Sequence, residues 1–129
     1  MPFSSERLQP GIGLALSGGG FRATLFHCGT LIRLNELGYL PRLDRISAVS
    51  GGSITAGLLA LRWPRLQFVA GIAKNLVDEV IVHLRRFCER SIDGPAIAEG
   101  TFLPWKRVSD AVREEYEEHL FGTKTLQDL

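Results

Sequence analysis

Two short apolar runs, Ile12-Gly13-Leu14-Ala15-Leu16 and Ile46-Ser47-Ala48-Val49, each end directly on glycine-rich turns, and the residues between them repeat at helical spacing. No other feature limits the possible folds so strongly. A run of about five residues that is almost wholly apolar reads as a strand covered on both faces, as parallel sheets require. From Phe21 to Leu37 the residues Leu25, Cys28, Leu31 and Ile32 form a helical stripe, widened by Phe26, Leu34 and Leu37. Gly38 is a natural stop, and Pro41 prevents the helix from resuming. Strand, glycine loop, helix and strand make one β-α-β unit, hence a right-handed crossover and two parallel strands. In such a unit both strands end at the same edge of the sheet. The loop Ser17-Gly18-Gly19-Gly20 and the turn Ser50-Gly51-Gly52 should therefore emerge side by side.

The second turn has the layout of a nucleophile elbow. A serine that attacks an acyl carbon must be exposed at a sharp turn, on a backbone that tolerates strain, with small neighbours that let a substrate approach. Ala48-Val49-Ser50-Gly51-Gly52 offers this, with Ala48 where the elbow formula Gly-x-Ser-x-Gly has its first glycine. Tight turns also use Ser and Gly for conformation alone.

The first turn allows three readings. Gly18-x-Gly20-x-x-Ala23 between strand and helix matches a dinucleotide fingerprint, but that site wants an acidic residue at the end of the second strand. Asp44 lies at its beginning instead. Phe21-Arg22-Ala23 lacks the Lys-Ser/Thr of a P-loop. A glycine turn that merely packs helix on strand is the plainest reading. The third is an oxyanion hole: the N–H groups of Gly18, Gly19 and Gly20 precede a helix whose dipole favours negative charge. Losing one such donor costs on the order of 3 kcal/mol of transition-state stabilisation.

Taken together, Leu14-Ala15-Leu16-Ser17-Gly18-Gly19-Gly20-Phe21-Arg22-Ala23 and Asp44-Arg45-Ile46-Ser47-Ala48-Val49-Ser50-Gly51-Gly52-Ser53 resemble the patatin-like phospholipase family, from about Gly11 to the end of the chain. Phe121-Gly122 and Thr125-Leu126 resemble its bacterial members, and the Ser-Gly-Gly-Gly-Phe-Arg string is also similar to cytosolic phospholipase A2. The resemblance implies an α/β fold: a parallel-sheet hydrolase core, truncated after its first strands and helices. Residues 1–10 would be a flexible lead-in and residues 11–129 the N-terminal part of the domain. It implies hydrolysis of lipid acyl esters by a Ser–Asp dyad without histidine, metal or other cofactor. Ser50 would be the nucleophile, Gly18, Gly19 and Gly20 the oxyanion hole, and Ala48, Val49, Gly51 and Gly52 the elbow. Arg22 would steady the loop or meet a lipid phosphate. The family's dyad Asp lies in an Asp-Gly-Gly/Ala motif far downstream, beyond Leu129. Asp93-Gly94 comes too early and is followed by Pro95, which suits a turn. The chain as it stands is therefore expected to be nearly inactive, since a serine hydroxyl without a base is a weak nucleophile. The alternative is a non-catalytic lipid- or protein-binding fragment.

The rest of the chain reads as helices: Gly52 to Leu61, Leu66 to Arg90, and Pro104 to Leu120, with a loop from Ser91 to Thr101. Phe68, Leu76, Phe87, Trp105 and Tyr116 are candidates for an acyl-chain pocket, or simply for core. His27 sits among apolar neighbours and reads as packed rather than as a base; His83 and His119 have charged neighbours and read as surface residues. Ser53 reads as a helix-start hydrogen-bonder. Lys plus Arg (15) nearly balance Asp plus Glu (14), so nucleic acid is not an expected partner. A lipid or phospholipid substrate is, with peripheral contact at a membrane. Cys28 and Cys88 form no C-x-x-C pair, which suits a reducing compartment, and neither a signal peptide nor a spanning segment is seen, so a cytoplasmic location is expected.

Overall fold

The computed structural model describes residues 10–92, 116–125 and 127. The expected lead-in (up to residue 9), Asp93-Gly94, Trp105 and most of the expected last helix lie outside the described residues. The fold is α/β. Strand β1 (Ile12–Leu16) pairs in parallel with β2 (Leu43–Ala48), and helix α1 (Gly20–Glu36) connects them. Helix α2 (Gly51–Arg62) follows β2 at once.

The register shifts between Ile12 and Gly13, which face Leu43 and Arg45, so Asp44 is the extra residue of β2. Its carboxylate accepts the Ile12 N–H at 2.7 Å. Asp44 thus belongs to the edge of the sheet where the strands begin, away from both glycine turns, and cannot serve as the ribose ligand of a dinucleotide site.

The strands are not covered on both faces as expected. In β1 only Leu16 is buried, and β2 has no buried residue. Gly13, Ala15, Arg45 and Ser47, which are register partners in pairs, are all exposed. Leu14 and Leu16, on the alternate positions, meet the helices. The described residues form a ribbon packed on one side.

Helix α1 buries Thr24, His27, Cys28, Leu31 and Asn35. This stripe is rotated from the expected one: Leu25, Phe26 and Leu37 are exposed, Phe26 by 73%. Thr24, His27 and Asn35 hold the inner face because each bonds a main-chain group there. Gly38 ends the helix in the left-handed region (φ 70°), where its N–H reaches Asn35 O at 2.9 Å and the Tyr39 N–H reaches Leu34 O at 2.9 Å.

The expected long helix from Leu66 is also corrected. Phe68–Val69 (β3) and Ile72–Ala73 (β4) form an antiparallel hairpin around Ala70 (φ 49°) and Gly71 (φ 78°). Two successive positive φ values are the signature of a type I′ turn, whose twist matches the strands. Two asparagines secure it. Asn75 accepts the Gln67 N–H at 2.8 Å and donates to Arg65 O at 2.9 Å. Asn35 accepts the Ala73 N–H at 2.8 Å and donates to Ala73 O at 2.9 Å. Helical structure begins only afterwards, as a wide turn (Val77–Ile81) running into α3 (Val82–Ile92).

The core lies between α1, α2 and α3. Leu31, Leu58, Leu59, Leu76, Val80, Leu84 and Phe87 are essentially inaccessible to solvent. Phe87 contacts the Phe21 ring at 5.6 Å on one side and the Tyr116 ring at 5.4 Å on the other. Leu76 and Phe87 are thus core, and Phe68 packs on Trp63 at 5.4 Å. Cys28 and Cys88 belong to the same core, and burial pushes each thiol up to about 11.

Candidate active site

The two glycine turns meet where β1 and β2 end. The Val49 N–H donates to Leu16 O at 3.1 Å and extends the ladder one residue past β2. Ser50 then turns the chain, with φ 52° and ψ −120°. A non-glycine residue rarely adopts this conformation, and holding it costs of order 1–3 kcal/mol. The first turn of α2 fixes it: Ser50 O accepts the N–H groups of Ser53 at 2.7 Å and Ile54 at 3.2 Å, so Ser53 contributes through its main chain. The Ser50 side chain is exposed and makes no cap bond to α2.

Small residues let the turns approach. A Cβ on Gly18 would lie 3.3 Å from Ser50 Cβ and 3.5 Å from Val49 O. A Cβ on Gly51 would strike the carbonyl oxygen of Gly20 and lie 3.1 Å from its carbonyl carbon. On Gly52 it would strike Leu16 O and lie 2.8 Å from Ser17 O. Gly19 (φ 134°) and Gly20 (φ 64°) hold conformations that favour glycine for the separate reason of backbone freedom.

Both helices that start here lack a side-chain cap and an acidic residue in the first turn. At the start of α2 the N–H groups of Gly52, Ser53 and Ile54 already bond Val49 O and Ser50 O, so what the two helix starts share is the positive end of a helix dipole. Two uncapped helix starts at one rim suit a negative charge. Arg22 is exposed in the first turn of α1, where a cation works against the dipole unless an anion lies nearby. Of the other residues expected in an elbow, Ala48 ends β2 half-buried, and Val49 is 66% exposed beside Gly18.

The side chains that hold the turns in place were not singled out in the sequence as positioning groups. The Thr24 hydroxyl, fully buried, lies 3.1 Å from Gly51 O and 3.3 Å from Gly20 O, so its one proton is shared between the two turns. Thr55 donates to Gly51 O at 3.3 Å from the other side. His27 is buried, with Nε2 2.8 Å from Ser17 O. A carbonyl only accepts, so that nitrogen carries the proton and is occupied by the loop. His27 is a packed residue, as its apolar neighbours suggested. His83 is half-buried on α3, its pKa lowered by burial and then by Arg62 and Arg86. The only sequence signal for Thr24 and His27 was their position on α1 directly after the glycines.

A parallel strand pair with glycine-lined turns at its C-terminal edge defines an α/β protein. The patatin-like phospholipase family model matches residues 14–128, and the chain belongs to that family. It is also similar to the protein described as "Putative meiotic phospholipase SPO1" of Saccharomyces cerevisiae, 43% identical over 44 residues. That match covers 34% of this chain and only 7% of the yeast protein's length. No solved structure matches. Among the described residues no helix is long and apolar enough to cross a membrane.

Proposed function

We propose that the chain is the N-terminal part, residues 11–129, of a lipid acyl hydrolase, and that Ser50 is its nucleophile. Ser50 Oγ would attack the ester carbonyl carbon, and the electron pair of the C=O bond would move to oxygen. The N–H groups of Gly18, Gly19 and Gly20 would stabilise that oxyanion. Collapse would break the ester bond, release the alcohol with the serine proton, and leave an acyl-serine for water to hydrolyse. The single observation that carries the reading is the approach of Gly18 to Ser50, 3.3 Å from a would-be Cβ, at a rim formed by two uncapped helix starts.

Arg22 would meet the phosphate of a phospholipid. Phe26, one turn further along the exposed side of α1, supports peripheral contact with a lipid surface. The dyad Asp lies outside this chain in our reading. A positioned base is worth about two to four powers of ten in rate, so the 129-residue chain should turn over very slowly.

A fluorophosphonate probe tests both parts. Slow labelling that disappears in Ser50→Ala is expected. Rapid stoichiometric labelling would show that a base is present after all. Labelling unaffected by Ser50→Ala would remove Ser50 as the nucleophile. Lipid binding without any turnover, even in a chain extended downstream, would favour a binding fragment.

A further inference from the structure

The other end of α2 carries a second feature, about 18 Å from Ser50 along a twelve-residue helix. A cavity of about 460 Å³ opens there, within the range of small-molecule sites. Three cations line it: Arg62, Arg65 and Lys124. Arg62 is paired with Glu79 at 3.3 Å. Arg65 and Lys124 are exposed, and no carboxylate among the described residues lies within ion-pair distance of either. Leu61, Pro64, Leu120 and Phe121 supply apolar wall. The Phe121 ring is held in place over Gly57, where a Cβ would come within 3.3 Å of it.

Positive charge predominates among the residues that line the cavity, and it reaches beyond them. Half-buried His83 registers it: after burial, Arg62, Arg86 and Arg65 each disfavour its charged form, and only Glu79 opposes them. The C-terminal carbonyls of α2 work the other way, but the lining holds three cations and no carboxylate.

We propose that this cavity is a second ligand site, for an anionic amphiphile whose phosphate head lies against Arg65 and Lys124 and whose chain lies on Leu61, Pro64 and Phe121. The pairing of unmatched cations with an apolar wall is what a free phosphate ion does not need and a lipid-derived phosphate does. The site is separate from the Ser50 rim, and its occupancy does not depend on hydrolysis.

Calorimetric titration of the 129-residue chain with hexyl phosphate tests it, since that probe has no acyl ester to cleave. Saturable binding is expected, weakened by about tenfold or more in Arg65→Gln/Lys124→Gln, because two charge-assisted contacts are lost. Inorganic phosphate should bind distinctly more weakly than hexyl phosphate. Equal affinity for the two would overturn the amphiphile and assign the site to a soluble phosphate compound. Absence of saturable binding, or unchanged affinity in the double variant, would overturn the site itself. Should the double variant show a lowered urea midpoint, Lys124→Gln alone serves in its place, with a loss of about threefold expected.

Discussion

Gly51→Ala would test the contact on which the candidate site rests. The added methyl would strike the Gly20 carbonyl oxygen, with Gly20 C at 3.1 Å and Gly20 N at 3.2 Å. All three are main-chain atoms at the start of α1, so no side-chain rotamer can relieve the clash. Overpacking typically costs 1–3 kcal/mol, and an unyielding backbone puts this case near about 3. Alanine in place of glycine in a helix returns up to about 1 kcal/mol. The net loss is about 2 kcal/mol, a shift of about 1 M in the urea midpoint for a domain of this size.

The same displacement would push the glycine loop away from Ser50. Fluorophosphonate labelling of Ser50, compared at low denaturant where the variant is still folded, should slow along with the loss of stability. Gly18→Ala is the partner experiment. Its Cβ meets Ser50 Cβ at 3.3 Å and Val49 Cγ1 at 3.6 Å, close contacts that side chains can absorb. That variant should keep its stability within about 0.5 kcal/mol and still label more slowly, because the methyl sits beside the proposed nucleophile. If Gly51→Ala melted like the parent and labelled at the parent's rate, the two turns would not be in contact, and the proposed geometry would be wrong.

Three further outcomes are expected. Asn35→Ala should cost roughly 2–4 kcal/mol in urea unfolding, since it strips both bonds from the buried Ala73 N–H and C=O; a loss under about 1 kcal/mol would mean that water replaces the side chain at no cost. Ala70→Gly should raise stability by several tenths to about 1 kcal/mol, because alanine at φ 49° is held in the left-handed region; a lower midpoint would refute that account. Stability should also fall as pH rises from about 9 towards 11. Burial holds both thiols at about 11 in the folded chain against an ordinary 9.0, so the unfolded chain releases those protons first. The contribution is complete below 9 and is lost as pH rises through the folded value, up to about 2–3 kcal/mol per thiol. Replacing Cys28 or Cys88 by Ala should flatten that slope, and an unchanged slope would place the cause elsewhere.

The β-α-β unit and the meeting of its two turns were readable in the sequence because their signals are local. Apolar runs end on glycine at both places, and topology does the rest. The hairpin from Phe68 to Ala73 was hidden by coincidence of spacing: Phe68 and Ile72 are four residues apart, as on a helix, and Ala70-Gly71 is a weaker turn signal than Asn-Gly. The face of α1 was misjudged for a different reason. Hydrophobic periodicity ranks Leu25 and Phe26 as inner residues, yet they are exposed while Thr24, His27 and Asn35 are buried. Periodicity counts apolar surface and is blind to main-chain groups elsewhere in the fold that need a partner. Nor could it find the cavity at the end of α2, whose wall joins residues 61–65 to residues 120–124 across the fold.

That blind spot explains the architecture of the site. Regular elements satisfy their own backbone; turns do not, and each buried carbonyl left over must find a donor. Helix α1 sends three polar side chains to main-chain groups from one face: His27 bonds the loop carbonyl of Ser17, Thr24 joins the starts of α1 and α2 at Gly20 O and Gly51 O, and Asn35 bonds Ala73 in the hairpin. Each neutral bond contributes a net of about 1 kcal/mol. The Ser50 conformation costs about 1–3 kcal/mol. The bonds from Thr24 and His27, with that of Thr55, are thus of the size needed to hold the strained turn and the glycine loop together. A leucine or valine at position 24 or 27 would fit the hydrophobic stripe better and remove the bonds to Gly51 O and Ser17 O. Thr24 and His27 are polar on the inner face of α1 because they bond main-chain groups beside the geometry proposed for Ser50, and Asn35 is polar there because it bonds the hairpin.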